Sequence, residues 1–312
     1  MIKKRTVFVL GAGSSAAYGF SSGEALLQTA RSLSPEALAE HTQGVMTRQA
    51  LLPIHNALQR TAMASIDAML EHQSTHWPAL KAVMAALLLE EEQGALHRGI
   101  EVNEDWIGLV IQNMAADARS IEQFADNPVS FVSFNYDRFL EYRIGQSLAQ
   151  HYNISEPNVW QALRNMPLIH LHGTLGKLPE QQLAHAEKPI PFGATDDGDT
   201  AYKSLAIRAA MLGTKIIHEI AEDDQTFLTV RHFLQGAEQV VFLGFSFNAD
   251  NVRHLGTYAA IGDKAHVYGT TYQMTEAEVR VDVVPAFNRP TTRIFRDMKA
   301  KQFLREHIDI LR

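Results

Sequence analysis

A short apolar strand that runs directly into a glycine turn constrains the fold of this chain more than any other feature. Val7–Leu10 is apolar throughout and is followed by Gly11-Ala12-Gly13-Ser14-Ser15. Glycine allows a tight turn and a close approach to a ligand. A helix that begins at such a turn directs free N–H groups and its positive dipole end at an anion. The segment predicts a phosphate-binding strand–turn–helix unit, and a glycine turn that only ends a strand is the alternative.

The composition is that of an ordinary globular protein, and it excludes several kinds of functional site. The chain has 312 residues, of which 46% are hydrophobic and 20% charged, with a net charge of −7 and no cysteine. The lack of cysteine excludes disulfides, thiolate zinc sites and cysteine nucleophiles. The negative charge argues against direct nucleic-acid binding. The run at Val7–Leu10 is too short for a signal peptide, and none reaches the ~18 residues of a membrane span, so we expect a cytoplasmic protein without membrane contact.

Further apolar runs predict the fold class. They lie at Val129–Phe134, Leu168–Leu171, Val240–Phe245 and Ala265–Tyr268. Each is short and continuously apolar, which is typical of parallel strands buried on both faces. Several are followed by Gly or Asn and then by a helical pattern. We therefore predict an α/β fold with a Rossmann-like, doubly wound parallel sheet.

Helical periodicity fills the chain between the first and second strands. The predicted helices are Pro35–Leu52, Ile54–His72, Trp77–Glu92 and Asp105–Phe124. They predict a helical module inserted at about residues 31–125 of a single domain spanning residues 1–312. Residues 178–200 are rich in Pro, Gly, Asp and Gln, which indicates a loop or lid.

Polar side chains follow the second strand, where open α/β sheets bind their ligands. Ser133, Asn135 and Asp137 lie there. Asn135 can donate and accept hydrogen bonds to a sugar or a water. Asp137 either holds Asn135 or caps the helix that follows.

Two histidines end the third strand. His170 and His172 are two residues apart and would share one face of a strand. His172, next to Gly173, is the candidate general base near neutral pH, with a purely structural histidine as the alternative. A His-x-His pair can also bind a metal. No third ligand has a fitting spacing, so we expect no metal.

Two other segments carry polar residues that a site could use. Gly244, Ser246 and Asn248 follow the fourth strand and could contact ribose or phosphate, while Asn248 or Asp250 could cap the next helix. In the inserted module, Asp67 is the one acid in an apolar helical pattern. It either reaches into a site or faces solvent.

Taken in this order, the segments resemble the sirtuin-type NAD-binding family. Its Gly-Ala-Gly-x-Ser turn, Asn-x-Asp element, Leu-His-Gly element and late Gly-x-Ser are matched by Gly11–Ser15, Asn135–Asp137, Leu171–Gly173 and Gly244–Ser246. The resemblance implies that Asn135 orients the ribose or a water and that His172 accepts a proton. The residues expected to bind the dinucleotide are Gly11, Ala12, Gly13, Ser14, Ser15, Ser133, Asp137, Gly244, Ser246 and Asn248.

Departures from the deacylating sirtuins narrow this resemblance. Those enzymes carry a four-cysteine zinc module and an Asp-Phe-Arg element after the first turn. This chain has no cysteine and reads Tyr18-Gly19-Phe20-Ser21-Ser22-Gly23 there. With Ser65-Ile66-Asp67 in a helical insert, the layout is more similar to bacterial sirtuin-like domains of anti-phage defence systems. That similarity implies an NAD+ hydrolase that releases nicotinamide and ADP-ribose without a metal.

The same similarity implies control of a toxic activity. Activation would come from assembly into a homo-oligomer, from a small-molecule signal, or from a partner such as a DNA-translocating ATPase or an Argonaute-like protein. Three alternatives stay open. An oxidoreductase needs a second strand ending in an acid for the ribose, which is not evident. A deacylase needs the zinc module. A non-catalytic nucleotide-binding sensor or scaffold subunit needs no base such as His172.

Overall fold

A six-stranded, all-parallel sheet forms the centre of the protein. The computed structural model describes residues 1–72, 77–181, 189–194, 200–216, 224–287 and 292–312. The strands are β1 (Thr6–Leu10), β2 (Val129–Ser133), β3 (Leu168–His170), β4 (Gln239–Leu243), β5 (His266–Thr270) and β6 (Thr292–Arg296). Their order across the sheet is β3-β2-β1-β4-β5-β6, and every neighbouring pair is parallel. This is the doubly wound order of a Rossmann-like fold, so the predicted fold class is confirmed.

The apolar runs are continuous because the central strands are buried on both faces. Every residue of β1 and of β4 is buried. Phe8 and Leu10 pack into a hydrophobic cluster on one face, whereas Val7 and Val9 pack into a second cluster on the other. In register, Val9 lies between Val132 of β2 and Phe242 of β4. Alternate side chains therefore serve different cores, which removes the polar–apolar alternation of a half-exposed strand.

Helices surround the sheet on both faces and fill the segment between β1 and β2. In chain order they are α1 (Ala12–Ser15), α2 (Gly23–Ser32), α3 (Pro35–His41), α4 (Arg48–Arg60), α5 (Ile66–His72), α6 (Trp77–His97), α7 (Trp106–Ala115), α8 (Ile121–Ala125), α9 (Phe139–Tyr152), α10 (Glu156–Ala162), α11 (Thr200–Gly213), α12 (Gln225–Gly236), α13 (Ala249–Leu255), α14 (Thr257–Ala260), α15 (Glu276–Glu278) and α16 (Ala300–Glu306). None of the helices in the described ranges is long and apolar enough to cross a membrane.

The helices between β1 and β2 build a hydrophobic core of their own. Residues 82–89 of α6 are all buried, and side chains of α2, α3, α4 and α5 pack around them. Ile207 of α11 belongs to the same cluster, although it follows β3 in the chain. The segment between β1 and β2 is therefore helical in the described residues, and a helix from later in the chain completes its core.

Helix boundaries within the module differ from the prediction. Pro53 was expected to separate two helices, but α4 continues through it from Arg48 to Arg60. A proline inside a helix removes one backbone hydrogen bond. Leu51, Ile54 and Leu58 are all buried, and their packing holds the helix together. The break lies earlier, at Gln43 and Gly44, whose positive φ angles of 50° and 73° end α3.

The predicted lid at residues 178–200 lies partly outside the described residues. A short 3₁₀ turn occupies Pro179–Gln181, and residues 189–194 are also described. Residues 182–188 and 195–199 are not. The edge strand β6 has no counterpart in the sequence prediction, because its residues Thr-Arg-Ile-Phe-Arg are half-exposed and charged rather than continuously apolar.

A fully buried ion pair joins the module, the loop after β2 and residues 189–194. The guanidinium of Arg138 donates to both carboxylate oxygens of Glu92, with Nε–Oε1 at 3.0 Å and Nη2–Oε2 at 2.5 Å. It also donates to the carbonyl oxygens of Ile190 and Pro191. Both charged side chains are almost completely shielded from solvent. Glu92 belongs to α6, and Arg138 precedes α9 at the end of the β2 loop.

Removing one member of this pair should destabilise the protein strongly. Glu92→Gln leaves the Arg138 guanidinium buried without a counter-charge, which typically costs about 3–5 kcal/mol. We expect a loss of that size in the free energy of unfolding, measured by urea denaturation. Glu104→Gln, which breaks the exposed pair between Glu104 and Lys299, is the control and should cost less than about 1 kcal/mol. Equal, small losses in the two variants would contradict the anchoring role.

Candidate functional site

The candidate site lies at the carboxyl ends of the central strands. The glycine turn after β1 and the turn at Gly244 after β4 meet there. The chain passes from β1 to β2 and β3 on one side, and then crosses back from β3 to β4 on the other side of β1. In open α/β sheets this switch point forms the crevice in which ligands bind.

The two glycine turns contact each other through backbone atoms alone. The Gly11 N–H donates to the Leu243 carbonyl at 3.1 Å, and the Gly13 N–H donates to the Gly244 carbonyl at 3.0 Å. A Cβ on Gly13 would lie 2.8 Å from the Gly244 Cα. Gly244 has a φ of +59°, and a Cβ there would lie 2.0 Å from the Ser14 nitrogen. Side chains cannot be accommodated at either position, so close packing of the turns already requires glycine.

This packing uses part of the donor capacity expected for a phosphate. The N–H groups of Gly11, Gly13 and Ser14 all donate to carbonyl oxygens of the protein. The Ala12 N–H makes no hydrogen bond within the described part of the chain. Phosphate binding at this turn stays a prediction, and it depends on the Ala12 amide rather than on the glycines themselves.

Asn135 is fixed at nearly every polar atom. Its Nδ2 lies 3.1 Å from the Gly11 carbonyl and 3.0 Å from the Ser15 hydroxyl, and its backbone N–H donates to Ser133 Oγ at 3.0 Å. Its carbonyl oxygen lies 2.7 Å from Nδ1 of His170. The side-chain Oδ1 makes no hydrogen bond to a described residue. Asn135 therefore presents one rigidly placed acceptor, while Ser133 serves to position it.

His170 is buried as an imidazolium. Its Nδ1 faces the Asn135 carbonyl and its Nε2 faces Oε1 of Glu141 at 2.9 Å. Both partners only accept hydrogen bonds, so both ring nitrogens must carry protons. Burial opposes the charge, but the Glu141 carboxylate and the Asn135 carbonyl raise the pKa of His170 above its usual value. His170, which was expected to share a strand face with His172, thus holds the Asn135 carbonyl.

Asp137 supports the start of α9. Its carboxylate accepts the Phe139 N–H at 3.1 Å, which agrees with the capping alternative. Burial raises the pKa of Asp137 to about 6, and the nearby Glu92 carboxylate adds to this, while hydrogen bonds from Ser15 and Phe139 oppose it. The side chain is thus a buried carboxyl group that changes charge close to neutral pH.

His172 lies beyond the end of β3, in the turn that follows it. Strand alternation therefore does not extend to it, and the expected common face with His170 is not observed. Its ring contacts Phe134 edge-on, with ring centroids 5.3 Å apart, and lies 6.1 Å from the ring of Tyr136. Burial, and secondarily His254, lower the pKa of His172 to about 4. Nε2 is buried without a hydrogen-bond partner among the described residues, so the imidazole is neutral at pH 7.

Asp67 points away from solvent and toward this cluster. A hydrogen bond with the Tyr136 side chain partly offsets the burial that raises the pKa of Asp67. Its Oδ1 has no solvent contact and no partner in the described part of the chain. The ring of Tyr136 also lies near that of His172. The inserted module therefore contributes a carboxylate to the strand-end site.

The turn after β4 exposes the residues expected to touch the dinucleotide. Phe245 and Phe247 are buried, whereas Ser246 and Asn248 between and after them are exposed. Asn248 accepts the Asp250 N–H at 2.8 Å and caps α13, as its alternative role predicted. Ser246 is available to a ligand, and its contact with one stays a prediction.

Several residues of the site were missed from the sequence. Tyr136, Arg138 and Glu141 lie within four residues of Asp137 or Asn135, in a segment that had already been singled out. Trp106 donates from its indole N–H to the Ser14 carbonyl at 2.8 Å and supports α1 from behind. The segment around Asn135 was the only sequence signal that pointed to these residues. Their roles depend on partners that lie far away in the chain, which no local pattern shows.

Comparisons with known proteins add no relative. A scan against models of protein families finds no match to the chain. A search of curated proteins likewise finds no similar sequence. The likeness to sirtuins is therefore carried by four short motifs and their order. Among the described residues, no three His, Asp or Glu side chains are grouped to hold a metal ion.

The two perturbed groups of the site should make opposite contributions to acid stability. The pKa of His172 is lowered from 6.5 to about 4 in the folded protein. The free energy of unfolding therefore decreases as the pH falls through that window, because only the unfolded chain gains the proton. Because the pKa of Asp137 is raised from 3.8 to about 6, stability is gained over nearly the same window. At about 1.36 kcal/mol per pKa unit, each effect is ~3 kcal/mol and the two nearly cancel.

In Asp137→Asn the pH dependence of stability that His172 contributes should no longer be cancelled. We expect the unfolding free energy of this variant, relative to wild type, to fall by about 3 kcal/mol between pH 6.5 and pH 4. Urea denaturation at a series of pH values measures it. Asp126→Asn, which alters an exposed aspartate, is the matched control. Parallel pH profiles for Asp137→Asn and wild type would contradict the opposed titration.

Proposed function

We propose that the protein hydrolyses NAD+ at the nicotinamide–ribose bond and releases nicotinamide and ADP-ribose. The observation that carries this proposal is that the His172 ring lies against both chain neighbours of Asn135. Phe134 and Tyr136, which flank Asn135, both contact the His172 ring. Oδ1 of Asn135 makes no hydrogen bond to a described residue, and Nε2 of His172 is buried without a partner among them. The amide oxygen accepts hydrogen bonds, as does Nε2 in one tautomer of the neutral imidazole, and a water and a ribose hydroxyl would donate to them.

The chemistry of the bond suits such a site. Cleavage develops positive charge on the ribose, with an oxocarbenium-like transition state as in glycoside hydrolysis. Nicotinamide leaves as a neutral molecule, so no general acid is required. Attack by water comes late in such a reaction, and the water needs orientation more than early removal of its proton. Asn135 accepts a hydrogen bond from the ribose or the water, and neutral His172 accepts one from the water and takes its proton as the new bond forms.

The proposed biological role is that of an anti-phage effector. It is supported by the resemblance to sirtuin-like defence domains and by the absence of cysteine for a zinc module. Depletion of NAD is toxic, so the activity is gated by assembly into a homo-oligomer, by a small-molecule signal, or by a partner such as a DNA-translocating ATPase or an Argonaute-like protein. The site is proposed to work without a metal, in a cytoplasmic protein.

One observation favours a second candidate, a nucleotide-binding sensor or scaffold subunit without turnover. A pKa of about 4 makes His172 a weak base. General bases work best when their pKa lies near the operating pH. A pure binder would use the same crevice and would need no base.

The decisive measurement is nicotinamide release from NAD+, followed by chromatography at matched, high protein concentration. His172→Ala should lower the rate by ~10²–10⁴-fold, the usual contribution of a positioned base, and should leave NAD+ binding within a few-fold of wild type. His97→Ala, which removes an exposed histidine at the end of α6, is the control and should retain full activity. A His172→Ala variant with more than a tenth of wild-type activity would refute the catalytic role.

Binding of NAD+ by wild type without nicotinamide release, even with an activating partner present, would favour the sensor. Titration calorimetry measures that binding independently of turnover. Absence of both binding and release would reject the NAD proposal altogether.

A further inference from the structure

Asp67 is placed in the site by the inserted module. Ser65 Oγ accepts the Ala68 N–H at 3.1 Å and so fixes the first turn of α5. Ile66, the residue between, is fully buried in the core of the module. The backbone at Asp67 is therefore fixed, and its carboxylate meets the strand-end loop at Tyr136.

The hydrogen bond to Tyr136 accounts for only part of the hydrogen-bonding capacity of this carboxylate. Its Oδ1 lacks both solvent and a hydrogen-bond partner in the described part of the chain, and burial raises the pKa of Asp67. Buried polar atoms in folded proteins are nearly always paired, and the exceptions need an explanation such as a ligand. His172, whose ring also lies near Tyr136, has an unpartnered Nε2 as well. These two atoms are unmet hydrogen-bonding capacity that a polar ligand would satisfy.

Charge determines which part of a dinucleotide fits beside Asp67. A carboxylate repels a pyrophosphate and attracts hydroxyl donors and positive charge. In NAD+ these features lie at the nicotinamide end, where the ribose carries two neighbouring hydroxyl groups and the ring is cationic. The pyrophosphate is expected at the turn after β1, where Ala12 offers an N–H.

We propose that Asp67 binds the hydroxyl groups of the nicotinamide ribose and stabilises the positive charge that develops on that sugar. This assignment rests on the proposed NAD+ hydrolysis and adds the helical module to its catalytic machinery. The Asp67 carboxylate accepts a hydrogen bond from the sugar, and the C–N bond to nicotinamide breaks with both electrons leaving on the ring nitrogen. Water supplies the oxygen of the new bond, and its proton passes to His172.

Gly23 offers an independent way to disturb this carboxylate. A Cβ on Gly23, the first residue of α2, would lie 2.4 Å from Oδ2 of Asp67 and 3.1 Å from the Ser65 Cβ. Alanine is compatible with the backbone there, because Gly23 has no positive φ. Gly23→Ala therefore acts chiefly by displacing Asp67.

The test compares Asp67→Asn, Asp67→Ala, Gly23→Ala and the double variant Gly23→Ala/Asp67→Ala with wild type. Glu24→Gln, an exposed acid next to Gly23, is the matched control. For each protein we would measure kcat and KM for NAD+, and the thermal midpoint with and without NAD+. Asp67→Asn should lower kcat/KM at least 100-fold and leave the thermal midpoint unchanged or higher, because burial already disfavours the ionised form of Asp67. A purely structural residue would lower the midpoint as well.

The Gly23→Ala substitution should lose activity only when Asp67 is present. We expect at least a tenfold loss in the wild-type background and less than a twofold further loss in the Asp67→Ala background. Asp67→Asn activity within threefold of wild type, or equal losses from Gly23→Ala in both backgrounds, would overturn the assignment and leave NAD+ hydrolysis standing. A wild-type protein that neither hydrolyses NAD+ nor gains thermal stability from it would overturn both proposals.

Discussion

The buried pair of Glu92 and Arg138 is the interaction on which the site most depends. Arg138 follows Asp137 directly and holds the segment at Ile190 through its carbonyl oxygens. Glu92 reaches the same point from α6 and also accepts the Arg138 backbone N–H at 3.2 Å. Two charges removed from water are tolerable only when their geometry satisfies both groups. The pair thereby fixes the distance between the module and the β2 loop, and with it the position of Asp67 relative to Asn135.

A second buried pair performs the same task on the opposite side of the loop. Glu141 and His170 hold the carbonyl of Asn135 from β3 and α9. The Asn135 side chain is held from β1 by the Gly11 carbonyl. Three strands therefore converge on one residue, so its Oδ1 is placed with the precision that a preorganised site requires. Neither pair touches the proposed reacting atoms, and both act through Asn135 and its neighbours.

Sequence patterns predicted the sheet well and the site only in part. Continuous apolar runs identified five strands because buried parallel strands leave no polar face. The half-exposed β6 lacks that signature, and it was missed. Asn135 and His172 were found because strand-end residues are recognisable locally. The roles of Glu92, Glu141 and Tyr136 depend on partners 29 to 69 residues away, and no periodicity encodes such pairings.

Glycine illustrates how one pattern serves two purposes. Gly11 and Gly13 were interpreted as a phosphate cradle, but the close approach of Gly244 accounts for both. The two explanations are compatible, because turns that pack backbone to backbone bring both strand ends into one crevice. Because packing alone requires glycine at these positions, the glycines are no longer evidence for phosphate binding. The case for a ligand rests instead on Asp67 and His172, whose unpartnered atoms no packing requirement explains.

Electrostatic balance around the site extends this argument to catalysis. Glu92 is paired with Arg138 and Glu141 with His170, whereas Asp67 forms no ion pair with a described residue and Asp137 has His170 as its nearby cation. Acidic side chains in such a site favour a cationic ligand before it reacts as well as afterwards. Stabilising the substrate and the transition state equally does not accelerate a reaction. As the C–N bond breaks, positive charge moves from the nicotinamide ring to the ribose, so only a carboxylate nearer the sugar contributes to the rate. Asp67 can therefore be catalytic only if it contacts the ribose, which ties its role to the orientation of the dinucleotide across the switch point.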